Sequence, residues 1–331
     1  MIFCSVTTNN HIGFAVMMAS SIRNYYPKAK IVLCLVEENT TLLTPYMSLF
    51  DEVILAKNLG FPQFYRHIFK HSEMEGPCSC KARLMQFAFK RYPSESKYIY
   101  MDTDIMLFGD ISELINALDV HPIILTPHNF IPIPLIIRHG VFNAGMFAVR
   151  KSRAARRFLR WWAKKLDTRC YLDVDKGLNA DQKWLDYVPK RFGGYIFPHP
   201  GYNVGPWNLN ERIITISDSG VFLVNGEPLK AFHFSSSLRH ADYISFLQRC
   251  AGNVPISEAT ILLVKAYLNE ISPLRGNYEH PWSYSYFRSG RPIELETRHK
   301  FRNRPRLFAK VKNPYLKSNT FFLRRQPSQN K

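Results

Sequence analysis

The stretch that decides the fold of this chain is Lys97-Tyr98-Ile99-Tyr100-Met101-Asp102-Thr103-Asp104. Its first five residues predict a short, buried β-strand, and two acidic residues follow at once. Residues i and i+2 of a strand point to the same side, so Asp102 and Asp104 can face one object. Two adjacent carboxylates repel each other and resist burial unless a cation lies between them. Oxygen ligands of this kind suit a hard divalent ion, so the pair predicts a site for Mg²⁺ or Mn²⁺.

The position of this acidic pair also indicates what the ion would hold. At the carboxyl edge of an open α/β sheet, where such sheets bind ligands, the ion would hold a diphosphate. The alternative is a surface turn with two solvated aspartates, because the Asp-x-Asp tripeptide is common. The apolar run Ile105-Met106-Leu107-Phe108 resumes directly after the pair and favours a site.

Strands and helices alternate on both sides of this stretch. The order predicts an α/β fold with a mostly parallel, doubly wound sheet. Composition changes near residues 240–255 and again near Thr297. The predicted strands are 2–6, 31–36, 52–56, 97–101, 141–149, 213–216, 221–224 and 231–234, and the predicted helices are 13–25, 42–50, 81–91, 152–166, 241–250 and 257–271.

Composition limits the class of protein. The chain has 331 residues, of which 46% are hydrophobic, so it can bury a sizeable core. Residues 1–6 have the pattern of a strand and lack that of a secretory signal. The most apolar stretch, 122–137, is too short and too often interrupted by proline to span a bilayer. Six scattered cysteines predict reduced thiols in the cytosol, not a disulfide framework.

The net charge of +18 is concentrated at the C-terminus. From Arg298 to Lys331 there are eleven Lys/Arg and no Asp/Glu, interleaved with Phe, Leu, Val and Tyr. Basic and aromatic residues together suit an anionic membrane surface, and they would also suit nucleic-acid phosphates. A solvated tail that only keeps the protein soluble is the third interpretation.

Four further segments place polar residues beside apolar strands or at a helix start. Each has a structural alternative: a β-bulge explains a strand glycine, a helix N-cap explains an aspartate, and a lone histidine is often a satisfied turn residue. The segments are Asn143-Ala144-Gly145, Asp181-Gln182, Tyr202-Asn203 and His233.

Together with Thr7-Thr8-Asn9-Asn10-His11, Ala82-Arg83-Leu84 and the acidic pair, these segments resemble a known family in their order. It is the nucleotide-sugar-dependent glycosyltransferases of the GT-A fold, in particular family 8, which includes glycogenin and bacterial lipopolysaccharide galactosyl- and glucosyltransferases. The similarity spans about 1–240 of the chain. It implies a GT-A fold, with a Rossmann-like, mostly parallel sheet and a helical C-terminal extension. The expected division is a catalytic domain at 1–245, a helical extension at 246–297 and the basic aromatic tail at 298–331.

The resemblance also implies roles for individual residues. Asp102, Asp104 and His233 would bind Mn²⁺ or Mg²⁺, and the ion would bridge the diphosphate of the donor. Gln182 and Asp181 are the expected catalytic residues, with Gln182 near the anomeric carbon and Asp181 on sugar hydroxyls. The expected donor-binding residues are Thr7, Thr8, His11, Lys81, Arg83, Asp102, Thr103, Asp104, Asn143, Ala144 and Gly145.

The chain departs from the family pattern at three places. Asn9, Asn10 and His11 stand where the family usually has acidic residues and a tyrosine. Lys183 replaces a second acid after Asp181-Gln182. No Lys-Pro-Trp follows the metal histidine, and Arg239 is the candidate for the lost phosphate contact.

The predicted function is therefore transfer of a sugar from a nucleotide-diphosphate donor to a glycan or lipid-linked acceptor of the cell envelope. The resemblance favours a UDP-sugar and retention of configuration. The alternatives are a catalytically inactive GT-A domain that serves as a membrane-associated interaction module, and a nucleic-acid-binding protein. The expected location is cytoplasmic, peripheral at the inner face of the membrane through the basic tail.

Overall fold

The computed structural model describes residues 1–131, 133–237, 239–277 and 280–324. Most of the predicted strands and helices are present within a few residues of their predicted ends. The strands are β1 Ile2–Thr7, β2 Lys30–Leu35, β3 Glu52–Leu55, β4 Lys97–Met101, β5 Ile105–Leu107, β6 Ile123–Pro127, β7 Phe142–Arg150, β8 Leu172–Asp173, β9 Leu178–Asn179, β10 Tyr195–Ile196, β11 Ile214–Ile216, β12 Phe222–Val224, β13 Glu227–Pro228 and β14 Ala231–His233.

The α-helices pack on both faces of the main sheet or follow it in the chain. They are α1 Ile12–Tyr25, α2 Phe64–Phe69, α3 Glu75–Arg91, α4 Ser112–Val120, α5 Pro134–His139, α6 Arg153–Arg169, α7 Val188–Phe192, α8 Tyr243–Ala251, α9 Glu258–Ile271, α10 Leu295–Asn303 and α11 Asn319–Arg324. None of those in the described part of the chain combines the length and apolarity needed to cross a bilayer.

A seven-stranded sheet in the order β10-β6-β7-β4-β1-β2-β3 forms the centre of the fold. Neighbours pair in parallel except for β7, which is antiparallel to both β4 and β6. The prediction of a mostly parallel α/β sheet is confirmed. Side chains of β1 alternate between two cores: Ile2 and Cys4 pack with α3 and α6, and Phe3 packs with α1 and α4. Such a sheet is buried on both faces, which explains its almost continuous apolar strands.

Three local predictions differ from the structure. Helix α3 begins at Glu75, six residues before the predicted start, because Ser72 and Glu75 exchange hydrogen bonds in a capping box. The segment Thr41–Leu49 is a 3₁₀-helix with Pro45 inside it, because proline removes an α-helical hydrogen bond. Strand β6 was not predicted, although all five of its residues are buried.

The C-terminal tail is part of the main core as far as residue 324. Phe301, Phe308, Tyr315 and Phe322 are buried in the same cluster as the strands of the sheet. The guanidinium of Arg298 is buried as well and donates to the carbonyl oxygens of Phe69, His71 and Tyr284. The expectation that these aromatic side chains are available to a membrane is therefore wrong, because they are needed to complete the core.

We expect Phe308→Ala to lower the free energy of unfolding by about 3–5 kcal/mol, the usual cost of emptying a buried aromatic site. Leu316→Ala is the matched control, since Leu316 is 65% exposed; its effect should stay below about 0.5 kcal/mol. Urea unfolding followed by circular dichroism measures both. Equal, small effects would show that the tail does not pack as described.

Candidate active site

The acidic pair lies where β4 leaves the sheet. The turn after Met101 carries Asp102 and Asp104 into β5, which pairs antiparallel with β14 so that Ile105 faces His233. This pairing brings His233 to the acids across more than a hundred residues of chain. Its Nε2 lies 2.9 Å from Asp104 Oδ1. One ligand atom from each of Asp102, Asp104 and His233 lies within 4.8 Å of the others.

These three side chains fit a divalent cation. Ligand atoms at right angles on an ion about 2.1 Å away lie about 3.0 Å apart, close to the separation of Asp104 and His233. Two carboxylates and one imidazole suit Mn²⁺ or Mg²⁺. Burial would raise the pKa of Asp104, but the neighbouring His233 outweighs it and the pKa is lowered. The carboxylate is therefore ionised, as a ligand must be.

A buried hydrogen-bond network fixes the amide of Asn143. Its Oδ1 accepts from the backbone N–H of Gly145 at 2.7 Å, so the oxygen and nitrogen of this amide cannot be exchanged. Its Nδ2 then donates to Nε2 of His128 at 3.0 Å. The other ring nitrogen, Nδ1, donates to the carbonyl oxygen of Gly140 at 2.8 Å. Burial lowers the pKa of His128 to about 3, so the ring is neutral, as this pattern requires.

The same network sets the tautomer of His233. Asn203 donates from Nδ2 to Asn143 Oδ1 at 3.1 Å and to Thr126 Oγ1 at 2.8 Å. Its Oδ1 therefore accepts from Nδ1 of His233 at 3.1 Å. With a proton held on Nδ1, Nε2 is the ring nitrogen that faces Asp104. This is the orientation in which a histidine binds a metal ion, with its other ring nitrogen donating to a fixed acceptor.

Gly145 makes room for the ring of His233. A Cβ atom at position 145 would lie 2.5 Å from Cε1 of His233 and 2.7 Å from Oδ1 of Asn143. Real Cβ contacts are not that short, so any other residue would displace the ring. The alternative of a simple β-bulge does not account for this contact.

The buried ammonium of Lys81 joins the acidic pair to Asp181. Nζ lies 2.9 Å from Asp102 Oδ1, 2.9 Å from Asp181 Oδ2 and 3.2 Å from the carbonyl oxygen of Ala144. Burial lowers the pKa of Lys81, but Asp102 and Asp181 outweigh it and raise the pKa well above its usual range. Two of its donors point at Asp102 and at the carbonyl oxygen of Ala144, and its charge also pairs with Asp181. Lys81 therefore orients both carboxylates.

Arg83 is not brought to the site. Residues two apart on a helix point to different sides, so when Lys81 faces the sheet Arg83 faces away from it. Its Nε and Nη2 bind Asp167 at 3.0 and 2.6 Å, and its guanidinium lies over the ring of Phe61. The predicted contact of Arg83 with the donor is corrected accordingly.

Lys81 connects the acidic pair to Asp181, which Gln182 follows in the chain. Burial raises the pKa of Asp181, and Lys81 opposes the shift. Its side chain does not cap the helix that follows; Oδ2 forms the ion pair with Lys81 but accepts no well-directed hydrogen bond. Gln182 Nε2 donates to the carbonyl oxygen of His139 at 3.3 Å. Ala180, just before them, is left-handed with a φ of 44°, a strained conformation that is typical of functional sites.

These side chains surround one cavity of about 590 Å³. A smaller cavity of about 150 Å³ shares His11, Asp102 and Asp104 with it and is lined by Thr7, Thr8 and Thr103. All the predicted site residues except Arg83 line one of the two: His11, Lys81, Asp102, Asp104, Asn143, Ala144, Gly145, Asp181, Gln182 and His233 the larger, and Thr7, Thr8 and Thr103 the smaller.

Three residues of the site were missed by sequence reasoning. Tyr100 donates to Asp102 Oδ1 at 2.8 Å, and its i, i+2 spacing from Asp102 could have revealed it. Trp207 lies edge-on to His233 with ring centroids 5.0 Å apart, and nothing local in the sequence marks it. His128 acts only through Asn143. Arg239, at the mouth, lines both cavities.

No family model matches the sequence. The uncharacterized protein YfnF of Bacillus subtilis (strain 168) is 23% identical over 253 residues, which cover 70% of this chain and 80% of that protein.

Among solved structures, the galactosyltransferase LgtC in complex with donor and acceptor sugar analogues is 13% identical, with a TM-score of 0.49 over 80% of this chain and 100% of LgtC. The glycosyltransferase GlyE of Streptococcus pneumoniae TIGR4 is 12% identical, with a TM-score of 0.49 over 86% of this chain and 66% of GlyE. Mouse xyloside xylosyltransferase 1 is 15% identical, with a TM-score of 0.41 over 72% of this chain and 99% of that one. All three of those proteins are glycosyltransferases.

Substituting Gly145 tests the contact between the glycine and the metal histidine. We expect Gly145→Ala to lower Mn²⁺ affinity at least about tenfold, because the new methyl group pushes His233 away from Asp104. Gly109→Ala is the control: there a Cβ would meet its nearest atom at 3.4 Å, an ordinary contact. Calorimetric titration with Mn²⁺ measures both variants. Unchanged Mn²⁺ affinity in Gly145→Ala would show that metal binding does not depend on this glycine.

His128 should make folding sensitive to acid. Its folded pKa of about 3 lies below the ordinary value of 6.5. Its neutral form therefore contributes its full stability above pH 6.5, and this contribution is lost as the pH falls towards 3. From about pH 6 to about pH 4.5, the wild type should lose about 2 kcal/mol more unfolding free energy than His128→Gln. Parallel pH series of chemical unfolding give this difference, and parallel curves for the two proteins would contradict it.

Proposed function

We propose that this chain is a metal-dependent glycosyltransferase. It would move a sugar from a nucleoside-diphosphate donor, with UDP favoured, to a glycan or a lipid-linked acceptor of the cell envelope, with retention of configuration. The observation that carries this proposal is that Asp102, Asp104 and His233 converge in a cavity that Asp181 and Gln182 also line. The cation site would suit the diphosphate of a nucleotide sugar, and the polar side chains of Asp181 and Gln182 would suit its sugar hydroxyls.

The chain's own residues divide the work between these two ends. Asp102, Asp104 and His233 would hold Mn²⁺ or Mg²⁺, which supplies positive charge against the departing diphosphate. Arg239 lies at the mouth of both cavities and is the cation positioned to reach a phosphate oxygen there. Thr7, Thr8 and Thr103, around the smaller cavity, would enclose the nucleoside.

At the sugar end, Asp181 would accept hydrogen bonds from sugar hydroxyls through oxygen lone pairs that Lys81 leaves open. Gln182 would lie against the reacting carbon, held by the carbonyl oxygen of His139 and by the N–H of Ala144. Lys81 fixes the separation of Asp102 from Asp181, and so the distance from the diphosphate to the sugar. A site ordered before the substrate arrives lowers the entropic cost of reaction.

A screen of nucleotide-sugar hydrolysis with Mn²⁺ tests the proposal and identifies the donor. We expect release of the nucleoside diphosphate from one donor class, UDP-sugars first. Asp104→Asn should reduce this release at least about a hundredfold, because it removes a charged ligand. Asp110→Asn is the matched control: Asp110 is an exposed carboxylate six residues further on and outside both cavities.

Three outcomes would contradict this proposal. The first is that no nucleotide sugar is hydrolysed, as an inactive interaction module predicts. The second is full activity after the metal is removed, and the third is an equal loss of activity in Asp104→Asn and Asp110→Asn. Calorimetry of nucleoside-diphosphate binding with and without Mn²⁺ then shows whether Asp104 acts in binding or only in turnover.

A further inference from the structure

The exposed face of α6 is a basic stripe that the active site does not use. This helix, Arg153–Arg169, is strongly amphipathic: Phe158, Leu159 and Trp162 are buried in the core, and the opposite side faces solvent. Its seven basic residues are Arg153, Arg156, Arg157, Arg160, Lys164, Lys165 and Arg169, and all except the half-buried Lys165 are exposed. The spacing of three and four residues puts most of them on one side of the helix.

Within the described residues, this charge is not neutralised by ion pairs. The one acidic residue of α6, Asp167, is bound to Arg83. None of the seven basic side chains forms an ion pair with a described Asp or Glu. Like charges three and four residues apart on a helix repel each other and destabilise it. The stripe therefore lowers the stability of the free protein, and an anionic partner would relieve the repulsion.

Aromatic side chains border the stripe where α7 packs against α6. Tyr187 is 55% exposed, and Trp161 is partly exposed beside it, with ring centroids 6.3 Å apart. Two cations lie over the indole ring of Trp161: the Arg191 guanidinium at 5.6 Å and Lys165 Nζ at 5.9 Å. Tyrosine and tryptophan next to lysine and arginine is the composition of proteins at the boundary between lipid headgroups and acyl chains.

We propose that this basic aromatic face, formed by the exposed side of α6 with Tyr187 and Arg191, binds the anionic headgroups of a phospholipid membrane. A straight helix of 17 residues presents its charges along a line, which matches a planar charged surface. The tail after Thr297 also carries exposed basic residues, but its aromatic rings are mostly in the core.

This surface extends the proposed function, because it would bring a lipid-linked acceptor to the active site. The buried side of α6 touches that site: Trp162 Nε1 donates to the carbonyl oxygen of Asp181 at 3.1 Å. One helix therefore separates the membrane-facing surface from the wall that carries Asp181 and Gln182. The delivery of an acceptor rests on the proposed transferase activity, whereas binding of the membrane by α6 does not.

Co-sedimentation with vesicles tests the surface without donor or acceptor. The full-length chain should bind phosphatidylcholine vesicles that contain about one third phosphatidylserine, release from them as salt is raised, and ignore pure phosphatidylcholine vesicles. Arg153→Gln/Arg157→Gln/Arg160→Gln should weaken binding about a hundredfold, at roughly a factor of five for each charge removed. Arg304→Gln/Arg306→Gln/Lys310→Gln is the matched control: it removes the same charge from exposed positions of the tail and should weaken binding less than tenfold.

Each alternative has a distinct result. Equal losses in the two triple variants, or a larger loss in the tail variant, would overturn the assignment to α6. So would failure of the wild type to bind anionic vesicles, or tighter binding to a duplex oligonucleotide than to vesicles at the same salt. Thermal unfolding should show that both variants remain folded. Donor hydrolysis in the absence of vesicles should be normal in both variants. A failure of vesicle binding would therefore leave the transferase proposal standing.

Discussion

The ion pair of Lys81 with Asp102 and Asp181 is the interaction on which the site depends. All three side chains are largely withdrawn from water, where an isolated charge is very costly. Without the ammonium, the two carboxylates would repel each other. With it, Asp102 and Asp181 are held at one separation. The same ion pair requires the helix that carries Lys81 to lie against the sheet, where it packs mainly on β1.

A second constraint comes from the backbone around β7. The amide N–H of Gly145 and the carbonyl oxygen of Gly140 have fixed hydrogen-bonding roles, and they determine the direction of every bond between His128 and His233. A polar network satisfied at both ends is rigid, and each member is costly to leave unpaired. The histidine that would bind the metal is thus oriented by residues that never touch the ion. The glycine has two roles here, since its N–H anchors the network and its missing side chain admits the ring.

Charge is organised separately from the site. The cavity balances its acids with Lys81 and Arg239, whereas the excess of positive charge lies on outer surfaces such as α6. Helix α6 has two different sides. Its apolar side supports Asp181 through Trp162, and its basic side has no acidic partner among the described residues. The repulsion along the basic side lowers stability, and contact with an anionic surface would relieve it.

The sequence by itself determined the α/β class, five of the seven strands of the main sheet, the acidic pair and the set of candidate residues. Strand and helix periods are local properties, and the Asp102-Thr103-Asp104 turn follows its strand directly. Tertiary structure decided between Lys81 and Arg83, because only packing against the sheet selects which side of α3 faces inward. It also decided the place of Phe308 and its neighbours, since composition cannot distinguish an aromatic residue that completes a core from one that meets a membrane. The pairing of β14 with β5 brought His233 to the acids, because contacts between residues far apart in the chain follow from topology and leave no local pattern.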